Sequence, residues 1–298
     1  MTSRIIEFYD DGRTWRNTVS NDSVVHSASP DKITFSHVSP QDSISYTTST
    51  DKIHYTRGQV MESIQRRSAF KKVFVAPPPP PPSVPTDPYF SSVVALLHFD
   101  GADASTTFTD VKGHTFTAVG NAQIDTAQSK FGGASGLFDG TGDYVTSVSS
   151  ADFGMGAGDY TIEGWVYQPG ATDNHQLCDT RLGGQGVGLY TASVSGTKLR
   201  LTNNTGILAT STNTIPINTW THVAIARASG TVKGFIDGAE GFSVSDTRAL
   251  ASSTQIRFGA SSTAGQLYVG HLDEWRITVG LARYTANFTP PDAPFLDA

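Results

Sequence analysis

Six consecutive prolines, Pro77 to Pro82, interrupt this chain of 298 residues. Proline has no amide hydrogen and fixes φ near −65°, so neither a helix nor a sheet ladder passes through the tract. Such a run takes the polyproline II conformation at about 3.1 Å per residue, which makes a stiff spacer of roughly 19 Å. SH3 and WW domains also bind this conformation. No Arg or Lys adjoins the tract, however, and the segments on both sides read as folded, which favours the spacer. Three regions follow: residues 1–76, a linker over 77–92, and residues 93–298, in a length that suits two domains.

The regions differ in charge. Residues 1–76 hold ten Lys/Arg against eight Asp/Glu, net +2, while residues 77–298 hold eleven against nineteen, net −8. The basic excess lies in Arg57, Arg66, Arg67, Lys71 and Lys72. It lacks stacking aromatics interleaved with the charges, so nucleic acid is not the expected partner. No apolar run approaches the ~20 residues needed to cross a bilayer, and no membrane insertion is expected. Met1 to Asp10 carries Arg4, Glu7 and Asp10 and lacks the apolar stretch of a signal peptide, so Sec export is not expected either. Cys178 is the single cysteine, which excludes an intramolecular disulfide.

Upstream of the prolines a motif repeats: Asp22-Ser-Val-Val-His, Asp31-Lys-Ile-Thr-Phe, Asp42-Ser-Ile-Ser-Tyr and Asp51-Lys-Ile-His-Tyr. The third and fifth residues of each unit would share one face of a short strand, and the Ser/Pro/Thr-rich remainder suits turns. Four short strands are predicted. Each offers two substantial apolar side chains, so the region buries little surface by itself and is expected to oligomerise or to dock on a larger assembly. A small monomeric β-meander is the alternative. Gly58 to Phe74 reads as a short helix, marginal unless it packs on a neighbour.

Beyond Val93, alternating segments are bounded by Gly, Asp, Asn and Ser: Val94 to Phe99, Tyr160 to Tyr167, Lys198 to Leu201 and Trp220 to Ala226. Ser and Thr together number 67 against 48 charged residues, a composition that favours strands. Asp237-Gly238 between Thr231–Ile236 and Gly241–Val244 marks a hairpin turn with positive φ at both central residues. About a dozen strands are predicted, which suggests two stacked antiparallel sheets. The fold class is therefore all-β: a C-terminal β-sandwich, a linker and a small N-terminal β-repeat region with a short helix.

Several pieces in order carry a resemblance: Leu97-His-Phe-Asp-Gly101, the run from Lys130 to Val145, Tyr160-Thr-Ile-Glu-Gly-Trp-Val-Tyr167, Thr219-Trp-Thr-His-Val-Ala224, Gly234-Phe-Ile-Asp-Gly238 and Gly270-His-Leu-Asp-Glu-Trp-Arg-Ile277. Over residues 93–298 the chain resembles the concanavalin A-like, laminin-G-like jelly rolls of phage virion and bacterial surface proteins. The resemblance implies a structural calcium ion between the end of the first strand and the last, which falls on Asp100 and Asp273. Such a hard cation takes oxygen ligands. The alternative reading makes Asp100 a turn residue and Asp273 an acceptor of backbone amides.

Catalytic signals are weak. A glycosidase needs two carboxylates across a cleft, but no Glu-x-Asp-x-Glu occurs, Asp237 and Glu240 are separated by a turn, and Asp273 and Glu274 would face opposite sides of a strand. The eight histidines show no metal-ligating spacing. Phe138-Asp-Gly-Thr-Gly-Asp-Tyr144 reads as a tight turn. Trp165, Trp220 and Trp275 are expected in the core. Arg181, Tyr190, Asn203 and Asn204, in or beside the loops from 168 to 214, are the candidates for holding a glycan. The overall expectation is a non-enzymatic virion protein of the phage-fibre type, a homo-oligomer that attaches to other virion proteins through residues 1–76 and presents the sandwich to a host cell-surface glycan. Its rivals are a purely structural capsid or tail decoration protein and a bacterial surface lectin.

Overall fold

The computed structural model describes residues 86–171, 174–193 and 197–298, together with six strand segments between residues 4 and 57. The proline tract and the expected helix over Gly58 to Phe74 lie outside the described residues. The chain divides into two compact units, Met1–Val84 and Pro85–Ala298.

In the first unit, β1 (Arg4–Asp10) pairs with β2 (Arg13–Val19), β3 (Ser23–Ser27) with β4 (Lys32–Ser36), and β5 (Asp42–Thr47) with β6 (Lys52–Arg57), each as an antiparallel two-stranded sheet. The four repeats coincide with β3 to β6. The hairpin of β1 and β2 has no such repeat and was not foreseen.

The second unit is a sandwich of strands β7 (Val93–Leu97), β8 (Thr107–Thr109), β9 (Thr115–Val119), β10 (Gln123–Asp125), β11 (Ser135–Asp139), β12 (Tyr144–Ser147), β13 (Tyr160–Tyr167), β14 (His175–Asp179), β15 (Gly188–Ser193), β16 (Thr197–Asn203), β17 (Gly206–Thr210), β18 (Thr221–Ala228), β19 (Thr231–Ile236), β20 (Ala239–Ser245), β21 (Arg257–Phe258) and β22 (Val269–Val279). The first sheet runs β10-β11-β22-β13-β18-β19-β20, with β7 also on β22. The second runs β17-β16-β15-β14-β21-β12-β9-β8. Alternation fills the space between them: Ile162, Val223, Ile225, Trp275 and Ile277 from one sheet meet Val145, Leu189, Leu199, Leu201 and Phe258 from the other. The Asp237-Gly238 hairpin has φ of 46° and 74°, as its two-residue loop requires.

Strands β13, β18 and β22 are buried on their outer side as well, which alternation alone does not foretell. The segment after β22 lies across them, packing Ala282, Tyr284 and Phe288 on Ala224, Ala226 and Phe235. Phe295 reaches Val93 and Leu96. Beneath this strap Arg276 holds Glu163 Oε1 at 3.0 and 2.8 Å, and Tyr284 donates to Glu163 Oε2 at 2.7 Å. His222 Nε2 lies 3.3 Å from the same carboxylate. Burial would raise the Glu163 pKa, but the Arg276 guanidinium, His222 and the Tyr284 hydroxyl outweigh it and hold the carboxyl at about 2. Of the three tryptophans expected in the core, Trp275 is buried between the sheets, Trp165 is buried under the outer side of the first sheet, and Trp220 is only half-buried. Trp165 lies on the outer side, its ring edge-on to Phe131 and His222, and half-buried Trp220 stacks there at a tilt on Tyr167. Trp165 falls on the face opposite to the core because Ile162 and Val166, four residues apart on the same strand, point inward.

The strap end is pinned by His98, whose Nδ1 and Nε2 lie 2.7 Å from Glu274 Oε1 and Asp297 Oδ1. Burial would lower the imidazole pKa, but the two carboxylates prevail and raise it to about 9. A group raised on folding stabilises fully below its unfolded value near 6.5 and loses that contribution as pH climbs through 9. Cleavage of residues 281–298 by a non-specific protease is therefore expected to quicken between pH 7 and 9.5 in the native protein and to lose that pH dependence in His98→Gln.

Candidate functional site

Leu189, Leu199, Leu201, Val145 and Phe258 point into the core. Their strand neighbours Gly188, Tyr190, Lys198, Arg200, Thr202, Tyr144, Thr146 and Arg257 therefore face outward from the second sheet. Cross-strand register places Thr202, Gly188, Asp179, Arg257 and Thr146 in one row. Thr210, Arg200, Tyr190 and Gln176 form the next.

Arg181 enters from the turn after β14 and crosses Gly188, where an added Cβ would stand 3.0 Å from its Cζ. Its Nε donates to both Asp179 oxygens at 3.0 and 3.1 Å and its Nη2 to Oδ2 at 2.5 Å. The same fork reaches Asn203 O at 3.2 Å and Gln176 Oε1 at 3.3 Å. Fully buried Asp179 also accepts the amides of Arg181 and Ser262 at 2.8 and 2.7 Å, which joins the loops after β14 and β21. Asn203 Oδ1 closes the β16–β17 turn by accepting from Thr205 N and Gly206 N. Asn204 ties in the other loop, accepting from Gly186 N and donating to Gly184 O at 3.0 Å each. Tyr190 is nearly covered, with the Arg200 guanidinium 5.9 Å from its ring centroid.

The four sequence-picked residues thus converge on one face, and three of them spend their polar atoms on shaping it. The groups left part-exposed there, Tyr144, Arg200 and Arg257, were not foreseen. Arg257 lies 4.4 Å over the Tyr144 ring. The alternation of Lys198-Leu-Arg-Leu201 could have identified Arg200. Arg257 stands on a two-residue strand whose register no pattern announces.

Asp100 and Asp273 meet at the opposite sheet, around the loop from Lys130 to Ala134. Asp273 Oδ2 accepts the amides of Lys130 and Phe131 at 2.7 and 3.1 Å, while its Oδ1 is buried without a partner. Burial, reinforced by Glu274 and Asp100, raises its carboxyl to about 7 against the pull of the two amides. Burial and Glu274 raise Asp100 as well. Gly132, at φ 61°, has no room for a Cβ beside the Asp100 carboxylate, which explains the glycine in Lys130-Phe-Gly-Gly-Ala134. Among the described residues no three metal-ligating side chains converge. Asp273 and Glu274 do not face opposite sides as expected. A bulge with Glu274 at φ 50° lies between inward Leu272 and Trp275, and it turns Glu274 outward to His98 and to the amide of Phe295. Phe138 to Tyr144 is the predicted turn: Asp139 accepts from Thr141 N at 2.7 Å, and Asp143 from Asp139 N and Asn121 N at 3.0 and 2.8 Å.

Residues 139–279 match a family model described as the concanavalin A-like lectin/glucanases superfamily, of the laminin-G type, so the resemblance of the sandwich is shown. The binding domain of Paraclostridial Mosquitocidal Protein 1 superposes with a TM-score of 0.51 at 16% identity, over 66% of this chain and 50% of that one. The chain spans about half the length of that structure. Domain 4 of AbnA, an extracellular GH43 arabinanase from Geobacillus stearothermophilus, in complex with arabinotriose, gives 0.48 at 19% identity, over 64% and 94%. No curated protein matches the sequence.

Proposed function

We propose that the sandwich is a non-catalytic glycan-binding head. The observation that supports this best is the outer face of the second sheet, where Tyr144, Arg200 and Arg257 stand part-exposed on a floor fixed by Arg181, Asp179, Asn203 and Asn204. Aromatic rings and guanidinium forks on a rigid floor suit the apolar faces and hydroxyls of sugars. A family of lectins and glucanases accommodates either binding or cleavage. Cleavage requires a pair of carboxylates flanking the bond, whereas the strands of this face offer Asp179, buried and salt-bridged to Arg181. On a glycan array the full chain is expected to bind a subset of saccharides, and Tyr144→Ala to weaken that binding about tenfold, the worth of one stacking contact. Binding unchanged by that substitution moves the site elsewhere.

The wider setting we propose is a virion appendage of the phage-fibre type, in which residues 1–76 oligomerise and attach to other virion proteins and the sandwich serves as the binding head. Three separate two-stranded sheets support this, since an isolated hairpin is marginal in water. Light scattering on the full chain is expected to give a multimer, and a stable monomer would contradict the anchor.

Calcium at Asp100 and Asp273 belongs to the same proposal, because the orphaned Asp273 Oδ1 beside a second carboxylate is an oxygen donor in want of a partner. Main-chain oxygens and water would complete the shell. At about a hundredfold over Kd, calcium adds about 2.7 kcal/mol, or roughly 5–10 °C for a domain of this size. Chelation is expected to lower the melting temperature by that amount. An unchanged melt leaves the two carboxylates as loop anchors only.

A further inference from the structure

The geometry points to a ligand that carries carboxylates: we infer that the outer face of the second sheet takes an acidic saccharide, uronic-acid-like in chemistry, through Lys198, Arg200 and Arg257. This rests on the glycan-binding reading and adds the ligand class to it. The outward strand residues and the crossing Arg181 contribute four cations and one carboxylate, a net charge of +3. Residues 86–298 as a whole carry eleven cations and nineteen carboxylates, −8. Positive charge is therefore concentrated on one face of an acidic body, which draws an anionic group to that face.

The three cations outside the Arg181–Asp179 pair have no carboxylate partner among the described residues. Lys198 Nζ donates to Thr212 O, and Arg200 spends Nε on Thr210 Oγ1 at 3.2 Å. Arg257 gives Nη1 to Ser261 O and Ser262 O at 2.7 and 3.3 Å, while its Nε is buried with no acceptor. Neutral carbonyl and hydroxyl acceptors leave the charge uncompensated. Arg200 and Arg257 also lie over the Tyr190 and Tyr144 rings, so each planar fork is held in place beside an aromatic surface. The Nη1–Nη2 edge of Arg200 matches a carboxylate with two parallel N–H donors, Arg257 adds its Nη2, and the part-exposed Tyr144 ring offers apolar surface to the sugar. A nucleic-acid duplex fits less well, because its charge, one per about 1.7 Å of axis, is denser than that of a polyuronate and would be repelled more by the acidic remainder of the unit.

The test uses the full chain against polygalacturonate, alginate, hyaluronan and colominic acid, against methyl-esterified pectin, dextran and mannan, and against duplex DNA. Binding to at least one acidic polymer is expected, at least tenfold tighter than to any neutral one. It should weaken at least tenfold between 50 and 500 mM salt, and by about tenfold in K198Q/R200Q. Those two side chains are part-exposed, so the variant should keep the native melting temperature, and the salt dependence of the unaltered protein is read without any variant. Neutral polymers bound as tightly as acidic ones, or full binding by K198Q/R200Q, overturn the carboxylate assignment and leave the glycan reading standing. DNA bound more tightly than every polysaccharide also overturns it. No binding anywhere on the panel overturns the assignment and the glycan reading together.

Discussion

Glu163→Ala is expected to destabilise the sandwich by about 3–5 kcal/mol, since removing one partner of a buried ion pair strands the other charge. Arg276 would lose the carboxylate that accepts two of its N–H groups, and Tyr284 its acceptor, beneath a strap that excludes water. Asp87 also receives Arg276 and Arg283, at 3.1 and 2.7 Å, so part of the network survives and local repacking limits the loss. The sign with pH follows from linkage. The folded carboxyl titrates near 2, below its ordinary 4.5, so its stabilisation is complete above pH 4.5 and is lost as pH falls toward 2. Denaturant unfolding of the two proteins should therefore differ most at neutral pH and converge below pH 3. A constant difference across that range would mean that Glu163 acts by packing.

Trp275→Ala is expected to cost about 3–5 kcal/mol, whereas Trp220→Ala should cost much less. Trp275 is fully buried between the sheets, edge-on to Phe258, and its ring occupies the volume that a side chain at Gly164 would need. Trp220 is half-buried on the outer side, against Tyr167. Paired melts of the two variants check the assignment. Equal losses would show that both rings belong to one core.

The sandwich was legible because period-two alternation survives in strands with one face on the core, and because Asp237-Gly238 names its own turn type. Strand β22 was harder to read: its outer residues are covered by the strap, and the bulge at Glu274 breaks the alternation on which the opposite-face expectation rested. Trp220 misled for a related reason, since an apolar ring beside a strand reads as core even where it lies half-buried against a neighbouring ring. For the candidate face, position in the loops was enough to pick out Arg181, Asn203 and Asn204. Their work as scaffold was hidden, because which atoms Arg181 would hold depends on register across β14, β15 and β16. Arg257 could not be found at all, since a strand of two residues carries no period.

Sedimentation of the full chain with an insoluble polysaccharide that it binds, followed by assay of the supernatant for new reducing ends, bears most directly on whether this sandwich holds sugar without cutting it. The protein should pellet with the polymer and the reducing-end count should stay at the level of the protein-free control. Release of reducing ends in proportion to bound protein would contradict that account and make the domain a polysaccharide-cleaving enzyme.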